Sequence, residues 1–203
     1  MEHYMEFFEN YTSIIQGAYG KNPNFFDLGF DEKQLSNKHY IRKLIRRIDQ
    51  QFDLVMITEL WEESLLLVQK KMCLSIDEIV VFDANVRVKS IPEISESLKD
   101  KILQFNDADH QLYQYFYQKL KEEAKEFHPS DFESLRQRKK FWTDICIGGR
   151  EHKISYSNRK YLGYMLKNDI DHKYRDECER MVASEIEFVD MYTEKMNEDA
   201  ANY

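Results

Sequence analysis

The sequence predicts an α/β fold in which helix dominates, and three observations carry that prediction. Among 203 residues only 6 are glycine and 3 are proline, too few turn formers for a many-stranded sandwich. The run "FDLVMIT", residues 52–58, is apolar enough to be a buried, parallel strand. Directly after it, "ELWEESLLLVQKKM" carries Trp61, Leu65, Val68 and Met72 at helical spacing. A strand feeding a helix is half of an α/β unit.

The remaining elements follow in chain order. Residues 4–15 read as a short helix closed by Gly17 and Gly20, and "KNPNFFDLGFDE" as a turn-rich connector. In "SNKHYIRKLIRRIDQQF" the residues Tyr40, Ile41, Leu44, Ile45 and Ile48 form one apolar stripe, leaving the arginines and lysines as a solvated face. "SIDE" at Ser75 is a capping box, and "IVVFDANVR" a second short strand or extended segment. From Pro92 onward the pattern is helical. One helix covers 94–105, with a break at Asn106-Asp107. The next carries Leu112, Tyr113, Phe116, Tyr117, Leu120, Ala124 and Phe127 as core. Ser130 or Asp131 caps the helix after that. "CIGGREHKISYSN" is a loop or hairpin and "LGYMLK" a glycine turn. A last helix has Tyr174, Cys178, Met181 and Val182 on one side, and restarts at the capping box "SEIE" at Ser184. The tail "NEDAANY" should fray.

Composition excludes several classes. With 42% hydrophobic and 14% aromatic residues the chain has material for a core. A formal charge of -8 opposes nonspecific binding to nucleic acid or an anionic membrane. No apolar run approaches the roughly 18 residues that a bilayer span needs, so this segment does not insert in a membrane. Phosphate-cradling glycine loops, H-E-x-x-H and C-x-x-C are absent. The spacing of Cys73, Cys146 and Cys178 is not that of metal ligands. They fit three core thiols, or one disulfide and a spare. The six histidines are scattered, and Glu62 and Glu63 suit a helix N-terminus. The residues alone show no self-sufficient active site. The one glycosylation sequon, "NYT" at Asn10, matters only in a luminal protein.

A series of blocks is more specific. "NFFDLGFD", "IDQQFDLVMITELWEESLLLVQKKMCLSIDEIVVFDANVR", "DADHQLYQYF", "TDICIGG", "YLGYMLKNDI" and "CERMVASEIEFV" occur in this order over roughly residues 22–192. Together they resemble the galactose 3-O-sulfotransferase family, through Glu59, Cys73, Asn85, Arg87, Asp109, Leu112, Tyr113, Phe116 and the Leu-Gly-Tyr-x-Leu-Lys of 162–167 among others. The resemblance implies a partial P-loop-like sulfotransferase fold: a small parallel sheet and a helical C-terminal half. It implies a single domain over 1–203, the C-terminal part of such an enzyme without its anchor and donor-phosphate loops.

It further implies sulfuryl transfer from 3′-phosphoadenosine 5′-phosphosulfate (PAPS), a co-substrate rather than a bound cofactor, to the 3-hydroxyl of galactose. No metal is required. The acceptor would be a galactose-terminated glycolipid such as galactosylceramide, or a glycoprotein glycan, in the Golgi lumen. Gly163, Tyr164 and Lys167 would meet the donor nucleotide, and Glu59, Asn85 and Arg87 the acceptor. Cys146 and Cys178 would form a disulfide, as the oxidising compartment allows. The catalytic base is not identified, and the missing donor loops imply an incomplete or inactive copy. The alternative is a catalytically dead helical module that keeps only acceptor or partner contacts.

Overall fold

The computed structural model describes residues 21–83, 94–154 and 160–201. Helix dominates, and the one sheet among the described residues is a two-stranded antiparallel hairpin. The chain divides into two compact units, residues 1–67 with 90–126 and residues 68–89 with 127–203.

The first unit begins with a short helix α1, Pro23–Asp27. Asn22, before it, adopts a left-handed conformation at φ 53°, which asparagine tolerates better than most residues. Helix α2, Lys38–Gln51, is capped by Asn37, whose side chain accepts from the amides of His39 and Tyr40. It buries Ile41, Leu44, Ile45 and Ile48 of the predicted stripe, while Tyr40 is half-buried and its hydroxyl donates to Gln34. Helix α3, Trp61–Met72, starts in this unit after a 3-10 turn at Thr58–Leu60. Its buried residues are Ser64, Leu65, Leu66 and Leu67, while Trp61 and Met72 of the expected stripe are exposed. Helix α4, Glu96–Phe105, and helix α5, Asp107–Glu123, meet at Asn106, where the break was expected.

The expected parallel strand is absent. Residues 52–57 form no regular element: Phe52 and Ile57 are in the β region, Asp53 is a bend, and the segment pairs with no strand among the described residues. The amide and carbonyl of Ile57 are taken by the hydroxyl of Ser64 instead. The expected burial fails too: Ile57 alone of the run is buried, while Phe52 and Met56 are exposed, for a strand is covered only where a partner backbone and a packing face are supplied. Val80 is likewise extended and unpaired.

The buried link in this unit is a carboxylate. Asp109 on α5 accepts hydrogen bonds from the amides of Asn24 at 2.8 Å and Phe25 at 3.1 Å. It thereby caps α1 from another element, supplying acceptors for amides that a helix N-terminus leaves open. Asn22 closes the arrangement. Its Oδ1 accepts from the Asp109 amide at 3.1 Å, and its own amide donates to Asn106 Oδ1 at 3.0 Å.

In the second unit, helix α6, Pro129–Cys146, is capped by His128 and not by Ser130 or Asp131. The imidazole of His128 accepts from the Ser130 amide, and Asp131 reaches back to the His128 amide at 2.7 Å. A histidine thus plays the part usually taken by serine or threonine in a capping box. Helix α6 runs directly into strand β1, Ile147–Ile154, which pairs with β2, Lys160–Leu166. The hairpin corrects the reading of "LGYMLK" as a turn. Helix α7, His172–Val182, is capped by Asp171, and helix α8, Glu185–Ala201, by the Ser184–Glu187 box. The tail predicted to fray is helical to Ala201. Cys146 and Cys178, both fully buried, form a disulfide that ties the end of α6 to α7. Closing a span of 32 residues stabilises by about 3–4 kcal/mol in the chain-entropy account.

Replacing Asp109 by alanine strands two amides that the buried carboxylate satisfies. The expected loss is about 2–4 kcal/mol, read as a drop in the urea midpoint followed by circular dichroism. A loss under about 0.5 kcal/mol, the scatter of a surface substitution, would mean that solvent replaces the carboxylate.

Candidate functional site

Gly163, Tyr164 and Lys167 lie along or just beyond β2 in the second unit, while Glu59 lies in the first. Asn85, Arg87 and Asn10 fall outside the described residues.

Gly163 sits opposite Glu151 in the hairpin and is not among the described residues of positive φ. Its requirement is space: a β-carbon there would lie 2.8 Å from Cδ of Lys153. The lysine stem crosses the glycine, and its ammonium group reaches the carbonyl of Val182 and the carboxylate of Glu187. Gly148 answers a similar demand. A β-carbon would stand 3.1 Å from Cα of Lys167, where the hairpin register shifts and the Lys167 amide donates to Cys146 O at 2.8 Å.

Tyr164 is the most connected of the three. It pairs across the hairpin with Arg150, whose guanidinium carbon lies 4.6 Å from the ring centroid. Phe82 meets the ring edge-on at 5.6 Å, and the hydroxyl donates to the carbonyl of Asp83 at 2.7 Å. Lys139 of α6 holds the Asp83 carboxylate at 2.5 Å. Lys167 donates to the carbonyl of Asp144 at 3.3 Å. The result is an aromatic and cationic cluster of Phe82, Lys139, Arg150 and Tyr164 around Asp83, with Lys167 held apart from it on the Asp144 carbonyl. Sequence spacing missed Arg150 and Phe82, because both reach Tyr164 through hairpin register and chain return. Only the hairpin alternative, extended to a register, would have pointed to Arg150.

Glu59 is exposed in the 3-10 turn before α3 and accepts from the Thr58 hydroxyl at 3.0 Å. Two half-buried tyrosines of α5 belong to the same neighbourhood. Burial, then the charge of Glu59, pushes the Tyr113 hydroxyl above its ordinary value, so it stays a donor. The rings of Tyr113 and Tyr117 stand 5.6 Å apart and tilted by 37°. A carboxylate beside aromatic faces is a chemistry suited to sugar hydroxyls and the apolar face of a pyranose. The core reading of Tyr113 and Tyr117 overlooked their half-exposed edges.

A second cluster in the later unit is architectural. Arg138 grips Asp77 with two hydrogen bonds, at 2.6 and 2.8 Å, and Trp142 Nε1 donates to the same carboxylate at 2.8 Å. No group of three or more His, Cys, Asp or Glu among the described residues could hold a metal ion. No helix among them is long and apolar enough to cross a membrane.

The comparisons with known proteins agree with one another. The galactose-3-O-sulfotransferase family model matches residues 4–196. Mouse galactose-3-O-sulfotransferase 2 is 28% identical over 88% of this chain and 50% of its own length. Human galactosylceramide sulfotransferase is 26% identical over 84% of this chain and 45% of its own. Human galactose-3-O-sulfotransferase 4 is 24% identical over 83% and 39%, respectively. No solved structure matches. The chain belongs to the galactose-3-O-sulfotransferase family, and it spans about half the length of the first two relatives.

The carboxylates give a pH expectation. Burial pushes Asp77 up, but the hydrogen bonds from Arg138 and Trp142 and the guanidinium charge outweigh it and hold it below 3.8. The hydrogen bond from Lys119 chiefly holds Asp49 down as well, against its burial. Both stabilise the fold above the ordinary carboxylate pKa, and that contribution is lost as pH falls through their lowered values. Asp109 has the opposite sign. Burial outweighs its two amide bonds and raises it, so its contribution is full below 3.8 and lost as pH rises through its folded value. The Asp77→Asn variant should therefore show a flatter acid limb in urea midpoints from about pH 5 to pH 2. An unchanged limb would rule out Asp77 as a contributor.

Proposed function

We propose that this chain forms part of a galactose 3-O-sulfotransferase, with Glu59 in its first unit turned to the acceptor and Tyr164 and Lys167 in its second to the donor nucleotide. The observation that carries the reading is the family match over nearly the whole chain. In the proposed reaction the sulfuryl group leaves the phosphosulfate of PAPS for the galactose 3-hydroxyl. The bond from sulfur to the phosphate oxygen breaks, a bond to O3 forms, the hydroxyl proton passes to a base, and adenosine 3′,5′-bisphosphate departs. In-line transfer of this kind relies on positive charge around the transferred group.

In this reading Lys167 exchanges the Asp144 carbonyl for a phosphate oxygen of the donor. Tyr164, steadied by Arg150 and Phe82, presents an aromatic surface to adenine, and Gly163 keeps the strand clear for the Lys153 stem. On the acceptor side, Glu59 accepts from galactose hydroxyls with Tyr113 as a protonated neighbour. Asn85 and Arg87 are assigned there by resemblance alone. The acceptor is a galactose-terminated glycolipid or glycan, the setting is the Golgi lumen, and the wider fold is the P-loop-like sulfotransferase fold. Sulfate transfer itself calls on donor-phosphate loops that match nothing in this sequence.

Stacking on one aromatic contributes on the order of 1–3 kcal/mol and one charged hydrogen bond about 1.5–3 kcal/mol. After the cost of association, donor affinity should be about millimolar. Titration with adenosine 3′,5′-bisphosphate should raise the melting temperature, and Lys167→Gln should weaken the effect about tenfold or more. The absence of any shift would favour the other reading, a helical module that keeps partner contacts without donor binding.

A further inference from the structure

Helix α2 carries Lys38, Arg42, Lys43, Arg46 and Arg47, all exposed. Among the described residues none of the five forms a salt bridge, a side-chain hydrogen bond or a cation–π contact. Some other surface cations do find carboxylates: Lys99 pairs with Glu96, Lys140 with Asp144 and Arg175 with Glu179. The one acid of α2, Asp49, is already held by Lys119 and Tyr115. Arg42 and Arg46 are four residues apart, as are Lys43 and Arg47. Like charges at that spacing destabilise a helix. A chain of net charge -8 thus concentrates uncompensated positive charge on one helix, where it works against the fold.

We infer that the outer face of α2 docks on an anionic bilayer surface, with the helix lying along it. The five cations lie within the ten residues from Lys38 to Arg47, about 13 Å of helix. They occupy about half of the helix circumference at successive turns, which suits an extended charged surface better than a single small anion. Juxtamembrane basic clusters bind acidic headgroups on this footing. The choice of a bilayer over another polyanion rests on the reading above: a glycolipid acceptor is presented at a membrane, and its sulfation makes that membrane more anionic. The remaining acidic surface is repelled by the same bilayer, so the basic face sets the orientation of approach.

The test is co-sedimentation of the chain with vesicles of phosphatidylcholine alone or with about one-third phosphatidylserine, at low and high salt. Binding is expected only to the anionic vesicles, and salt should release it. The combined variant Arg42→Gln, Lys43→Gln, Arg46→Gln and Arg47→Gln should bind at least about tenfold more weakly. Its helical circular dichroism should be unchanged or strengthened, since repulsion is removed. A control with Lys99→Gln and Lys140→Gln should bind like the parent chain. Failure of the parent chain to bind anionic vesicles at low salt overturns the inference, as does undiminished binding by the fourfold variant. Binding to heparin without binding to vesicles overturns it too and assigns the face to a soluble polyanion. Donor affinity is not read in this experiment, so its outcome is separate from that of the nucleotide titration.

Discussion

A carboxylate taken out of water must find its donors inside the protein, and at Asp109 it finds them in the backbone of a segment more than 80 residues away in sequence. The cost of leaving it unsatisfied makes the docking of α1 on α5 close to all-or-none. Asn22 strengthens that choice by adopting a left-handed conformation, which aims its own amide oxygen at the Asp109 amide. The two family blocks that contain these residues are thus halves of one hydrogen-bonded joint. Their resemblance to the family has a structural reason before it has a catalytic one.

The helices were readable in the sequence because their determinants are local. The stripe of α2, the break at Asn106 and the Ser184 box each follow from neighbours within one or two turns. The run at 52–57 reads as a sheet strand because it is apolar, but strand pairing is a property of two segments, and neither the run nor Val80 finds a partner among the described residues. The cap of α6 was displaced by two or three residues because histidine is not the usual capping side chain, although Pro129 at the first position marked the start. "LGYMLK" read as a turn because glycine was credited with backbone freedom. Its actual contribution is the missing β-carbon under Lys153.

Site residues divide in the same way. Tyr164 and Lys167 stood out through a motif, but their surroundings came from elsewhere: Arg150 across the hairpin, and Phe82 and Asp83 from a segment about 80 residues earlier. Glu59 was visible as the residue ending an apolar run. Its tyrosine neighbours were hidden within a stripe that reads as core from either end. Periodicity finds the face of a helix; it does not say where that face meets solvent.

Gly163 has an effect that reaches beyond its own strand. Because no side chain stands there, the Lys153 stem can cross β2, and its ammonium group satisfies the carbonyl at the end of α7 while holding the first turn of α8 through Glu187. Positions 153, 163 and 187 are therefore sterically and electrostatically coupled. A homologue with a bulky residue at the glycine position has nowhere to lay a long basic side chain, and it must anchor its C-terminal helix by other means. Substitutions at these three sites should be correlated across the family, although they are separated by ten and by twenty-four residues in the chain.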